Sequence, residues 1–159
     1  MKTTRILFVV VLLALGSCRQ EPKKVSSPKT ETSPDSEKRL DVPWMAVYNE
    51  RTEQLELRKN PVADSHNLTV QDMIDALNLK YPQIHLEWVS QQGNTAIVKI
   101  EDADYLTEQS GSAGAQAYLA EATFSITEVQ PFTAVDFRFK EGDHASPGIF
   151  NRQSFQSFN

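Results

Sequence analysis

Residue types that do chemistry are thinly spread in this sequence. It has three histidines, His66, His85 and His144, and one cysteine, Cys18. His66 stands beside Asp64 and Ser65, which supplies the three residue types of a hydrolytic triad, but neighbours in sequence cannot adopt triad geometry. His85 falls at an outward position of an alternating stretch, and His144 follows Gly142-Asp143, where a turn is expected. No two histidines have the four-residue helix spacing of a zinc hydrolase. A single cysteine excludes a cysteine-rich zinc site and an intrachain disulfide. The acidic group Glu101, Asp102, Asp104 and Glu108 is the best candidate for a hard cation, since calcium takes several loop carboxylates. It lacks the glycine-punctuated loop of an EF-hand, and a solvated link between strand and helix explains it more simply. Gly111-Ser112-Ala113-Gly114 precedes a helical stretch and offers amides to an anion. No lysine follows as in a P-loop, so a tight helix start accounts for it. Asn67-Leu68-Thr69 matches a glycosylation acceptor but reads better as the approach to a helix. These residues predict no catalytic group, no metal and no cofactor.

Cys18 has a different use. Met1-Lys2-Thr3-Thr4-Arg5 places two cations before an apolar run from Ile6 to Leu15, followed by Gly16 and Ser17. A charged start, a short apolar stretch and small residues before a break mark a secretory signal. The run is about half the roughly 20 residues needed to cross a bilayer. Leu15-Gly16-Ser17-Cys18 resembles the bacterial lipobox. That resemblance implies cleavage after residue 17, a thioether-linked diacylglyceryl group on Cys18, and acylation of the new amine by a palmitate-like chain. Each buried methylene adds about 0.8 kcal/mol, and two or more chains make a stable anchor. The protein is thus expected on a membrane, facing the periplasm or exterior. Arg19 stands where an aspartate, in some two-membrane bacteria, resembles an inner-membrane retention signal, so an outer membrane is favoured where the host has one.

Loss of residues 1–17 leaves 14 basic and 21 acidic residues, a balance of −7. Nucleic-acid binding needs clustered basic surface, and this chain has none. From Arg19 to about Val42 the sequence is rich in Ser, Thr, Pro, Lys and Glu and lacks aromatics, so it cannot offset the entropy of ordering. Residues 18–42 are read as the lipidated cysteine and a disordered tether, about 80 Å long if fully extended.

Residues 43–150 are read as one domain, with residues 151–159 as a tail. Two alternating stretches, Met45 to Tyr48 and Leu55 to Arg58, flank Asn49-Glu50-Arg51-Thr52 and predict a hairpin or two short strands. Val70, Met73, Ile74, Leu77 and Tyr81 lie at helical spacing, with Thr69 as cap, Asp72 as its capping-box partner and Pro82 as stop. Ile84, Leu86 and Trp88, then Ala96, Val98 and Ile100, predict a second hairpin turning at Gln92-Gly93-Asn94. Ala115, Leu119, Ala122, Ile126 and Val129 form the stripe of a long amphipathic helix. Val135, Phe137 and Phe139 alternate with Asp136 and Arg138 in a last strand. The expected fold is α+β: a small β(β)αββαβ domain whose mainly antiparallel sheet carries two helices on one face. Phe150 is expected to pack back on the sheet, with Phe155 and Phe158 left open.

This order, and above all the stretch from Val98 to Asp143, resembles the GerMN domain of sporulation and germination proteins. The motifs are Gly111-Ser112 before a helix, Thr123-Phe124-Ser125-Ile126-Thr127-Glu128 at its end, and a strand from Val135 closing at Gly142. Weaker likeness reaches back to Met45-Ala46-Val47-Tyr48. Phe124 and Ser125 depart from the leucine-bearing phrase usual there. The resemblance implies an interaction or assembly domain without established catalytic residues, often carried by lipoproteins with a spacer. A lipid-anchored envelope protein acting through an unknown envelope partner is therefore expected, not an enzyme. Asp136, Arg138 and Lys140 on the wet face of the last strand are the expected partner-binding residues. The alternatives are a periplasmic small-ligand or cation-binding lipoprotein, tested at the acidic group, and a hydrolase, which requires folding to bring a nucleophile to a base.

Overall fold

The computed structural model describes residues 41–63 and 67–158. The signal, Cys18, the tether up to residue 40, and Asp64, Ser65 and His66 lie outside the described residues. The fold is α+β, as expected, with a two-stranded and a four-stranded sheet.

Strands β1 (Trp44–Asn49) and β2 (Gln54–Lys59) form the first hairpin, with Tyr48 opposite Leu55. Asn49 turns the chain by accepting the Arg51 backbone N–H on its side-chain oxygen at 3.0 Å, as Asx turns do. Helix α1 (Val70–Lys80) begins at Thr69, and the reciprocal Thr69–Asp72 capping box is formed. Its Met73, Ile74, Ala76 and Leu77 are buried. Strands β3 (Leu86–Gln92) and β4 (Thr95–Ile100) form the second hairpin, turning at Gly93 with φ +58°. That left-handed value suits a residue without Cβ.

After β4, a π-helical turn at Tyr105–Gln109 leads into α2 (Gly111–Ile126). Gly111 has φ +68° at the junction, so the glycine there serves the change of direction into the helix. The sequence predicts one apolar stripe on α2. Instead every residue from Tyr118 to Ile126 is buried, because α2 packs against the β1–β2 hairpin as well as against strands of the main sheet. Alanines and short polar residues on the remaining sides are what allow packing from both directions.

Strand β5 (Ala134–Arg138) runs parallel to β4, with Ala96 beside Val135 and Val98 beside Phe137. Strand β6 (Gly148–Asn151) closes the sheet antiparallel to β5, giving the order β3-β4-β5-β6. Residues 151–158, set apart as a tail by the sequence, instead continue the fold. Asn151 ends β6, and Arg152–Phe158 form 3-10 turns kinked at Phe155. Phe155 and Phe158 are buried. A chain of rings runs Phe137, Phe150, Phe155, Phe158 with centroid spacings of 5.9, 5.7 and 5.9 Å. Spacings within 4.5–7 Å are those at which aromatic pairs attract.

Candidate functional site

Pleating sends Leu86, Val98, Ile100, Val135 and Phe137 of the main sheet inward, where all are buried. The outward positions are Glu87, Lys99, Asp136, Arg138 and Ile149, with Ile97 at their centre. Ile97 is closed off by its neighbours at 5 % exposure, whereas Ile149 stands 67 % exposed. Asp136 and Arg138 therefore lie where the sequence places them, on the wet face of β5, joined by an ion pair of 3.2 Å. An exposed pair of this kind contributes about 0–1 kcal/mol to stability. Lys140 is exposed just beyond the end of β5. Lys99 pairs with Glu101 on the same face. The arrangement is a sheet face of mixed charge, with Ile97 buried at its centre and Ile149 open at its edge.

The acidic group does not converge. Glu101 is drawn to Lys99, Asp102 accepts the Asp104 backbone N–H at 3.2 Å, and Glu108 accepts the Asp143 backbone N–H at 3.4 Å. Among the described residues no group of three or more His, Cys, Asp or Glu is placed to hold a metal ion.

Folding does join two residues that the sequence left apart. His144 Nδ1 lies 3.3 Å from Ser112 Oγ in the first turn of α2. The loop carrying His144 is pinned to the π-helical turn, since its backbone N–H donates to the Thr107 carbonyl at 2.9 Å. A Cβ on Gly142 would come within 2.1 Å of Glu108 Oε1, so glycine is what lets the loop approach. Among the described residues no carboxylate accepts a hydrogen bond from the imidazole to orient it, and Ser112 is exposed. A triad needs that third group to fix tautomer and ring. His85 is also exposed and sits 3.8 Å from Glu87 Oε1.

Two further clusters escaped sequence reasoning. Glu121, fully buried in α2, faces Lys80 Nζ and accepts from the Ala46 backbone N–H at 2.9 Å and the Tyr81 hydroxyl at 3.0 Å. Burial, with the charge and hydrogen bond of Glu121, holds the Tyr81 phenol well above its usual range. The second cluster is Trp44, Phe124, Glu128 and Arg152. Arg152 donates to Glu128 Oε1 at 2.7 Å and to the Phe124 carbonyl at 3.1 Å, and the Trp44 indole N–H donates to the same carboxylate at 2.8 Å. Burial pushes the Glu128 carboxyl up, but these two donors and the charges of Arg152 and Lys59 leave it lowered overall. Both clusters join elements far apart in sequence, and no local spacing announces them.

No family model, curated protein or solved structure matches this chain.

Proposed function

We propose that this protein is a lipid-anchored component of the cell envelope whose GerMN-like domain acts by binding another envelope protein. The observation that carries this reading is the outward face of the main sheet. Its Lys99, Arg138 and Ile149 are exposed, while Val98, Ile100, Val135 and Phe137 of the same sheet are buried on the other face. The element order α1-β3-β4-α2-β5 agrees with the resemblance, and the lipobox at Cys18 supports the anchor.

The experiment is complementation of a deletion strain, read beside a melting curve for each variant. Asp136→Lys, Arg138→Glu and Lys140→Glu together invert the charge pattern of the face while keeping an ion pair between residues 136 and 138. This variant is expected to melt like the wild type and to lose partner capture and complementation. Cys18→Ser is expected to leave the domain folded but to remove acyl mass and release the protein from membranes. Full complementation by the charge-inverted variant would remove the sheet face from consideration, and a wild-type Cys18 without acyl mass would remove the anchor.

A further inference from the structure

Beside the start of α1, the inner face of the main sheet runs out from under the helices and Trp88 is left only half buried. A β-bulge directly after Trp88 decides its neighbour. Trp88 pairs with Val98, Ser90 with Ile97 on the outward side, and Gln91 with Ala96, so the next inward side chain after Trp88 is Gln91. Bulges on edge strands commonly re-aim a side chain in this way. Trp88 and Gln91 thus line one open groove of ≈ 360 Å³, opposite Thr69, Gln130 and Pro131. Phe132 buttresses the indole edge-on at 5.7 Å. Gln130 and Phe132 also border a second groove of ≈ 450 Å³, whose polar lining includes Thr133, Asn151, Arg152 and Gln153.

The lining chemistry is unusual for this chain. Charged residues make up 23 % of the sequence, yet neither groove is lined by a carboxylate. The one charged residue, Arg152, already gives its guanidinium to Glu128 and to the Phe124 carbonyl. Neither an anion nor a cation finds a free counter-charge there. The side chains of Gln130, Thr133 and Gln153, and the indole N–H of Trp88, make no hydrogen bond within the described residues. What remains is a partly exposed indole in a mainly apolar groove, with uncharged groups that both donate and accept beside it. A pyranose ring fits that chemistry, since its C–H face is apolar enough to lie on an indole and its hydroxyls pair with carboxamides.

We propose that these two grooves form a binding site for an uncharged glycan strand, with one sugar against Trp88 and the strand crossing the ridge at Gln130. The proposal is independent of the outward sheet face and of the lipid anchor. The test is calorimetric titration of the full chain with three probes: N-acetylglucosamine oligosaccharides, cello-oligosaccharides, and heparin oligosaccharides as the charged control. Saturable binding of a neutral series without binding of heparin is expected. Preference for the N-acetylated series would assign an envelope-type glycan, and preference for the plain series a glucan. Gln130→Ala, at an exposed position, is expected to weaken binding about threefold to tenfold, as loss of one hydrogen bond does, without changing the melting curve. Trp88→Ala is expected to abolish binding. If neither neutral series binds, if heparin binds as well, or if Gln130→Ala binds as the wild type does, the proposal is overturned.

Discussion

Glu121 shows what a single residue contributes to the fold. It has no exposed surface, yet its oxygens serve three groups: Ala46 of β1, Lys80 of α1, and Tyr81 just beyond α1. Its partners are only partly buried, Lys80 with 34 % of its side chain exposed, so water takes up part of the loss and removing the carboxylate costs about 1–3 kcal/mol. Glu121→Ala is therefore expected to lower unfolding stability by about that amount in urea melts, and Glu121→Gln, which keeps an acceptor, by less. A loss under about 1 kcal/mol, the size of an ordinary substitution, would show that water replaces the carboxylate without penalty. The sequence concealed this role. Glu121 sits between Ala120 and Ala122 in what reads as the margin of an amphipathic stripe, and a stripe reports only the face toward one layer. The charged residues singled out by alternation, Asp136 and Arg138, were legible because period-two patterning alone fixes which way they point.

At the scale of elements, the local signals read well where they are local. The Thr69–Asp72 box, the Gly93 turn and the alternation in β3, β4 and β5 each act within a few residues and needed no tertiary context. The closing strand and the 3-10 turns did not read, because Phe150, Phe155 and Phe158 are spaced by five and three residues among Ser, Gln and Asn, matching neither strand nor helix period. Their order comes from the ring chain to Phe137 and from Arg152, which fastens this end of the chain to Glu128, Thr127 and Phe124. The fastening is pH-dependent. A carboxyl whose pKa is lowered on folding adds stability above its unfolded pKa, and that stability fades as pH falls through the folded value. Glu128, lowered from the reference of 4.5, should therefore lose its contribution only in acid, below about that reference. Arg152→Gln removes the main cation, so the variant should be less stable than the wild type at neutral pH. The gap between their melting temperatures should narrow as pH falls below about 4. A gap that stays constant from neutral pH into acid would show that Arg152 acts through packing on Trp44 and Phe124 and not through its charge.

At the scale of the whole molecule, the reading joins an anchor, a spacer and a folded module, and each makes a separable claim. Deleting residues 26–37 should leave the melting temperature nearly unchanged, because a segment with so little apolar area contributes no packed surface. A large loss of stability would show that the segment packs and that the spacer reading is wrong. The module itself raises the question of whether the joined Ser112 and His144 do chemistry. The distance of 3.3 Å between Ser112 Oγ and His144 Nδ1 lies near the outer limit of a hydrogen bond. The serine is exposed, so water competes for its hydroxyl. Nucleophile activation requires a base held in one tautomer by a further group, and the contacts that fix this loop are made by backbone atoms of residues 142–145, not by the imidazole. Ser112→Ala, and separately His66, His85 and His144 changed to Ala together, are therefore expected to melt like the wild type and to complement a deletion strain. If Ser112→Ala folds normally but fails to complement, the function moves from the sheet face onto this pair, with a fluorophosphonate probe on Ser112 as the direct measurement of its nucleophilicity. If only the triple-histidine variant fails, the sheet-face reading is overturned in favour of a site at one of the three histidines.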